Sequence, residues 1–132
     1  MKLKKISYSK LNSRQRENYN FQKIAAKLAD YGFNAVRLSD DWQGADAVAI
    51  HVDQKTFLKV QVKGRFSFDK KYIGKNIWIA FHDKDTDTYY LYNHDRLLKK
   101  LPDVFRYVSR KGSRNTPHIS AEHRRVLEEY KF

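Results

Sequence analysis

Only one long stretch near the start of the chain repeats its apolar residues at helical spacing. In SRQRENYNFQKIAAKLADYGF, Phe21, Ile24, Ala25, Leu28 and Ala29 fall on one face, Asn12 or Ser13 can cap the start and Gly32 ends the run. The pattern predicts a helix over about 13–31. The period then drops towards two. NAVRL and ADAVAIHV read as strands with SDDWQG as a polar turn region between them, TFLKVQVKG as a third strand, and NIWIAF and TYYLYN as two more joined by HDKDTD. RFSFDKKYIGK reads as an irregular basic and aromatic connection. HDRLLKKL reads as a short helix stopped by Pro102, VSRKGSRNTPH has loop composition, and SAEHRRVLEEYKF closes the chain as a helix with Ser120 as its cap. Such an order of elements predicts an α/β fold.

One strand departs from the expected pattern. Successive side chains of an extended chain point to opposite faces, so in FLKVQVKGRF the residues Leu58, Val60 and Val62 take one side and Lys59, Gln61 and Lys63 the other, with Gly64 and Arg65 directly behind. A core strand thus presents a polar rail. Asp46 follows Gly44 and Ala45 at the start of the preceding strand, and Glu17 stands one helical turn before Phe21, close to the buried stripe. Mg2+ takes near-octahedral oxygen ligands and keeps several waters, so one or two carboxylates and a neutral amide oxygen can hold it together with substrate phosphates. Asp46 would bring the charge and Gln61 the neutral oxygen. A cation held there polarises a phosphodiester and acidifies water for in-line attack, and Lys63, two residues from Gln61 on the same face, would stabilise the charge that develops.

Charge strengthens the case for a polyphosphate partner. In 132 residues, 27 Lys and Arg outweigh 15 Asp and Glu for a net charge of +12, the electrostatic footprint of a nucleic-acid-binding chain. Residues 1–30 carry +6, residues 31–105 carry +2 and residues 106–132 carry +4, so the ends are basic and the middle is nearly balanced. The absence of cysteine excludes disulfides and thiolate metal sites and suits a reducing compartment. MKLKKISYSK has no apolar core of a secretory signal, and no stretch reaches membrane-spanning length. The expected location is cytoplasmic and nucleoid-associated.

The order helix Glu17, strand Ala45-Asp46, then Gln61-Val62-Lys63 resembles the PD-(D/E)XK, or restriction-endonuclease-like, nuclease superfamily. GFNAVRLSDDWQGADAVAI followed by FLKVQVKGR is similar both to archaeal Holliday-junction resolvases and to group I intron homing endonucleases of this superfamily, and the glutamine form QVK brings it closer to the homing enzymes. Ala45 stands where the family has proline, and Gln61 replaces the usual acid, removing one negative charge. The resemblance implies a restriction-endonuclease-like core with a central mixed β-sheet flanked by helices, and one nuclease domain over 1–132, with its core at about 13–100 and a basic C-terminal extension at 101–132. It implies a Mg2+-dependent DNA endonuclease, homing or otherwise site-specific, with Mn2+ as a substitute. Asp46 and Gln61 would be metal ligands, Glu17 an auxiliary ligand and Lys63 the catalytic lysine. A homo-oligomer, dimer or higher, follows by analogy, since one site cuts one strand. The alternatives are a structure-specific, resolvase-like nuclease and a nucleic-acid-binding module of the same fold that has lost cleavage.

The remaining motifs divide into packing and DNA contact. DKDTD at 83–87 begins like a calcium-binding loop, but Thr88 holds the glycine position and His94 that of the bidentate Glu, which leaves a hairpin loop. The five histidines lack zinc spacing. Tyr89, Tyr90 and Tyr92 fall on both faces of one strand, which favours core packing over base stacking. In RFSFDKKYIGK, Arg65, Lys70, Lys71 and Lys75 are either phosphate contacts or a solvated basic loop. SRKGSRN, with Arg110, Lys111 and Arg114, is either a flexible loop that enters a groove or disordered chain.

Overall fold

The computed structural model describes residues 1–132. Its elements in chain order are β1 Phe33–Trp42, β2 Ala45–His51, β3 Phe57–Lys63, β4 Phe66–Asp69, β5 Ile77–Asp83, β6 Thr88–Asn93 and β7 Ser113–Thr116, with helices α1 Ser13–Ala29, α2 His94–Lys99, α3 Pro102–Lys111 and α4 Ala121–Leu127. The cap of α1 is Asn12: its side chain accepts from the Gln15 amide while the Gln15 side chain accepts from the Asn12 amide, a reciprocal capping box. Ser120 caps α4 through the His123 amide. No helix is long and apolar enough to cross a membrane.

Five strands form a mixed sheet in the order β1-β2-β3-β5-β6, antiparallel throughout except for the parallel β3–β5 pair. On one face, α1 seats Ile24 and Leu28 against Ala47, Ala49, Val60 and Ala80. These small residues on the central strands let the helix lie close to the sheet. The other face carries the larger core, where Ile77, Ile79, Phe81, Tyr90 and Tyr92 meet Leu97, Leu98, Val104, Val108 and Leu127 from the later helices. The polar rail of β3 points to this second side, with Gln61 beside fully buried Ile79.

Several sequence expectations change here. SDDWQG is not a turn region: β1 runs through it to Trp42, and only Gln43 and Gly44 turn, both at positive φ as a tight two-residue hairpin requires. The β1–β2 register shifts between Arg37 and Trp42, a bulge that re-aims the side chains on either side of it. RFSFDKKYIGK is not irregular either. Phe66 and Phe68 are buried on β4, Tyr72 is buried in a short 3-10 turn, and β4 pairs with β7 in a separate antiparallel ribbon. Its aromatic residues pack the core and are not free to meet DNA bases. VSRKGSRNTPH is ordered as the end of α3 and as β7. Pro102 does not merely stop α2 but opens α3 from its first turn, where its missing N–H costs nothing. Residues 101–132, read as a basic extension, place Leu101, Val104, Val108 and Leu127 in the larger core.

Candidate active site

The β2–β3 ladder ends at the Ala47–Val60 pair. Beyond it the strands diverge, and the next free amide on β3, that of Val62, is taken by the Asp46 carboxylate at 3.3 Å. The side chain of Asp46 thus replaces a ladder partner and is fixed in the mouth between the strands. Burial pushes its pKa up from the ordinary 3.8 to about 6, although the Val62 hydrogen bond and the charges of Lys63 and Arg37 pull the other way. The second oxygen of the carboxylate is left for the cleft.

Gln61 is oriented by the backbone across from it. Its amide nitrogen donates to the Gly44 carbonyl at 2.6 Å, which commits the nitrogen and leaves the amide oxygen as the group available to a cation. Gly44 is confined by its neighbours: a Cβ there would stand 3.3 Å from the Tyr72 ring and 3.4 Å from Ile77, at a φ of +90°. The same residue therefore makes the hairpin turn and aims the Gln61 amide. Lys63, half-buried, lies with Nζ 5.4 Å from the centre of the Tyr72 ring.

A cleft of about 460 Å3 brings Glu17, Asp46, Gln61 and Lys63 together from α1, β2 and β3. Asn20, Arg37, Asp40 and Asp41 are among the further lining residues that sequence reasoning did not single out. Arg37 lies 3.9 Å from Glu17, bonds Asn18 and stacks over the Phe21 ring at 5.4 Å. Asn20 follows Glu17 by three residues on one helix face, the one local signal that could have found it. Arg37 is the last regularly paired residue before the β1 irregularity and Asp40 lies within it, and the irregularity leaves no trace in the residue pattern.

The predicted DNA-contacting residues are spread more widely. Lys71 shares the Tyr72 ring with Lys63, at 5.3 Å, and pairs with Asp69 at 3.9 Å. Arg65, Lys70 and Lys75 are exposed. Arg110 and Lys111 form the last turn of α3, and Arg114 on β7 lies 5.7 Å from the Tyr107 ring. None of these reaches the cleft of Asp46.

The oxygen donors suit a hard cation: a carboxylate with one oxygen free, an amide oxygen fixed by its own nitrogen and a second carboxylate on the opposite wall. No three His, Cys, Asp or Glu side chains converge as a metal-holding group. Asp46 and Gln61 would hold Mg2+, with water and substrate oxygens completing its shell.

No protein-family model matches the chain, and no curated protein sequence matches it. Among solved structures, the bacterial homing endonuclease I-Ssp6803I is similar over 91% of this chain and 86% of its own, with a TM-score of 0.54 and 15% identity. Hjc, a Holliday junction resolvase from Archaeoglobus fulgidus, aligns over 58% of this chain and 76% of its own, with a TM-score of 0.46 and 16% identity. The mixed five-stranded sheet flanked by helices, matched along nearly the whole chain by the homing endonuclease, gives this protein the restriction-endonuclease-like α/β fold.

Proposed function

We propose that the protein is a metal-dependent DNA endonuclease, homing or otherwise site-specific, with its active site in the cleft of Asp46. The observation that carries this reading is the meeting of Glu17, Asp46, Gln61 and Lys63, from three elements, in one cleft of a +12 chain. When bound, a divalent cation supplies Lewis acidity toward the phosphodiester and the attacking water. Asp46 and Gln61 hold its place, Asp46 through its free oxygen and Gln61 through the oxygen that its bond to Gly44 exposes. Glu17, on the facing helix, orients water from the other wall. Lys63 presents a cation to the scissile phosphate and stabilises charge as the leaving oxygen departs. Arg37 lies beside the two carboxylates and limits their mutual repulsion. Phosphates beyond the cleft fall to Arg65, Lys70, Lys71 and Lys75 and to Arg110, Lys111 and Arg114, whose segments meet along the β4–β7 ribbon, and a homo-oligomer brings a second site to the second strand.

The site has a single well-buried carboxylate and no three-acid cluster, which favours as second reading a DNA-binding module without cleavage. One experiment separates the two: incubation with supercoiled, linear and branched DNA, each with and without Mg2+ or Mn2+. Nicking or linearisation only with metal is the expected result, and preference for the branched substrate would make the enzyme resolvase-like. Binding to all three substrates without cleavage would overturn the nuclease.

A further inference from the structure

Beside the candidate active site a second polar cleft opens between the start of α1 and the β4–β7 ribbon. It shares Glu17, Asn20, Lys63 and Gly64 with the first, and its own wall consists of Tyr8, Ser13, Arg16, Arg65, Ser67 and Asn115. That wall holds two guanidinium groups, three hydroxyls and one amide, and the shared Glu17 is the one carboxylate on the lining.

Two polar atoms on this lining are buried and unpartnered, the Nε of Arg16 and the Oδ1 of Asn20. Asn20 is only 6% exposed. Neither side chain is free to swing away and find a partner. Arg16 is held by its Nη2, which donates to the Ser9 carbonyl at 2.8 Å, and by the Tyr8 ring 5.3 Å away. Asn20 donates from Nδ2 to the Tyr8 hydroxyl at 3.0 Å. Turning the Asn20 amide over would leave its nitrogen unpartnered instead, so either orientation offers one polar atom to a ligand. Buried polar groups are satisfied in folded proteins almost without exception, and the two orphans on one cleft point to an absent partner: the Arg16 Nε–H calls for an acceptor oxygen and the Asn20 Oδ1 for a donor, a pairing that a hydrated oxyanion supplies.

The junction of the clefts is Gly64. A Cβ there would stand 3.2 Å from Asn20 Nδ2 and 3.4 Å from the Tyr8 hydroxyl, so any larger residue would narrow the passage between them. Lys63 and Arg65 flank this glycine, and two residues of chain span at most about 7 Å, comparable to the spacing of successive phosphates along one strand.

Building on the nuclease reading, we infer that the second cleft seats the phosphodiester next to the scissile one. Arg16 and Arg65 donate to its oxygens, the start of α1 adds its positive end, and water bound to the phosphate donates to Asn20. The strand then leaves towards the exposed basic residues Lys2, Lys4 and Lys5 ahead of Tyr8.

Thymidine 3′,5′-bisphosphate, which carries two phosphates one nucleoside apart, is the probe. The full chain, labelled with 15N at arginine and free of divalent metal, is titrated with it while the Nε–H resonance of Arg16 is followed. That resonance should shift saturably, and Arg65→Ser, at an exposed position, should weaken binding about tenfold, the loss of one charge-assisted contact. Gly64→Ala should weaken it as well. A probe that binds without moving the Arg16 resonance, fails to bind, or binds Arg65→Ser as tightly as wild type overturns the subsite. Metal-dependent DNA cleavage is scored separately: a protein that cleaves but shows no Arg16 response loses only the subsite, and one that shows the response without cleaving loses only the nuclease.

Discussion

Asp46→Asn should make the protein more stable while it destroys the site. The folded protein holds the Asp46 pKa at about 6 against an ordinary 3.8, with desolvation as the leading cause. At 1.36 kcal/mol per pKa unit this difference amounts to about 3 kcal/mol. The native state binds the proton more tightly than the unfolded chain, so the penalty is absent below the unfolded value, grows as pH rises from there to the folded one and levels off above it. It is complete at pH 8 and amounts to less than about 1 kcal/mol at pH 4. Asparagine keeps an oxygen for the Val62 amide and carries no charge to desolvate. The variant should therefore be about 3 kcal/mol more stable than wild type at pH 8, about 10 °C in Tm for a chain of this size, and nearly equal to it at pH 4.

Urea unfolding of both proteins at several pH values, without divalent metal, measures this directly. Other titrating groups act alike in both proteins and drop out of the difference. Millimolar Mg2+ at pH 8 should raise the Tm of wild type and leave that of the variant unchanged, since ligand binding stabilises only the protein that has the ligand. An equal gain at pH 4 and pH 8 would refute the argument, because a pH-independent effect cannot come from the charge. So would an Asp46→Asn variant no more stable than wild type at pH 8.

Four further outcomes follow from the same geometry. Lys63→Ala should abolish metal-dependent cleavage but keep DNA affinity within a few fold, since it loses one phosphate contact among many and all of its transition-state stabilisation; filter binding beside a nicking assay reads both. DNA affinity should fall steeply with salt, as each neutralised phosphate releases counterion, and a flat log–log plot would remove the nucleic-acid reading. Gln61→Glu should destabilise the metal-free protein by about 1–3 kcal/mol at pH 8, because a carboxylate oxygen would face the Gly44 carbonyl in place of the present donor; unchanged stability would show that the 2.6 Å contact does not set the amide. His94, fully buried, accepts from the Asp69 amide and donates to Asp95, and burial lowers its pKa. Its contribution is present above the ordinary value near 6.5 and is lost as pH falls through the lower folded value, so His94→Gln should flatten the acid limb of the stability profile.

Elements whose periodicity is set by one dominant face were legible in the sequence. Ile24 and Leu28 announce α1, and the β3 and β6 alternations place their strands within a residue or two of those observed. What was hidden depends on partners far along the chain. Phe66 and Phe68 look like aromatics in a basic loop until β7, more than forty residues later, pairs with them. Val104 and Val108 make a helical face, but the charged stretch that begins at Val108 reads as loop. The candidate site was legible where chemistry rests on a side chain in a short motif, as at Asp46 and Lys63. It was illegible where it rests on backbone, since no residue pattern encodes the carbonyl of Gly44 or the bulge that brings in Arg37.

That carbonyl bears on why glutamine, and not an acid, stands at position 61. An acidic side chain at position 61 would put an anionic oxygen against the Gly44 carbonyl in a mostly buried mouth where Asp46 already bears a desolvation penalty. Two such carboxylates would raise each other's pKa further and would depend on a cation merely to coexist. With glutamine, one polar group satisfies Gly44, a neutral oxygen faces the cleft and the metal-free site carries a single buried charge. The expected cost is weaker hold on a divalent ion, since one anionic ligand has been exchanged for a dipole. On this account metal affinity in Gln61→Glu rises even as the metal-free fold loosens, and the two effects are separable: isothermal titration with Mn2+ should show tighter binding in the same variant whose urea midpoint without metal has dropped. Weaker Mn2+ binding together with a lower midpoint would mean that position 61 supports the turn and holds no ion.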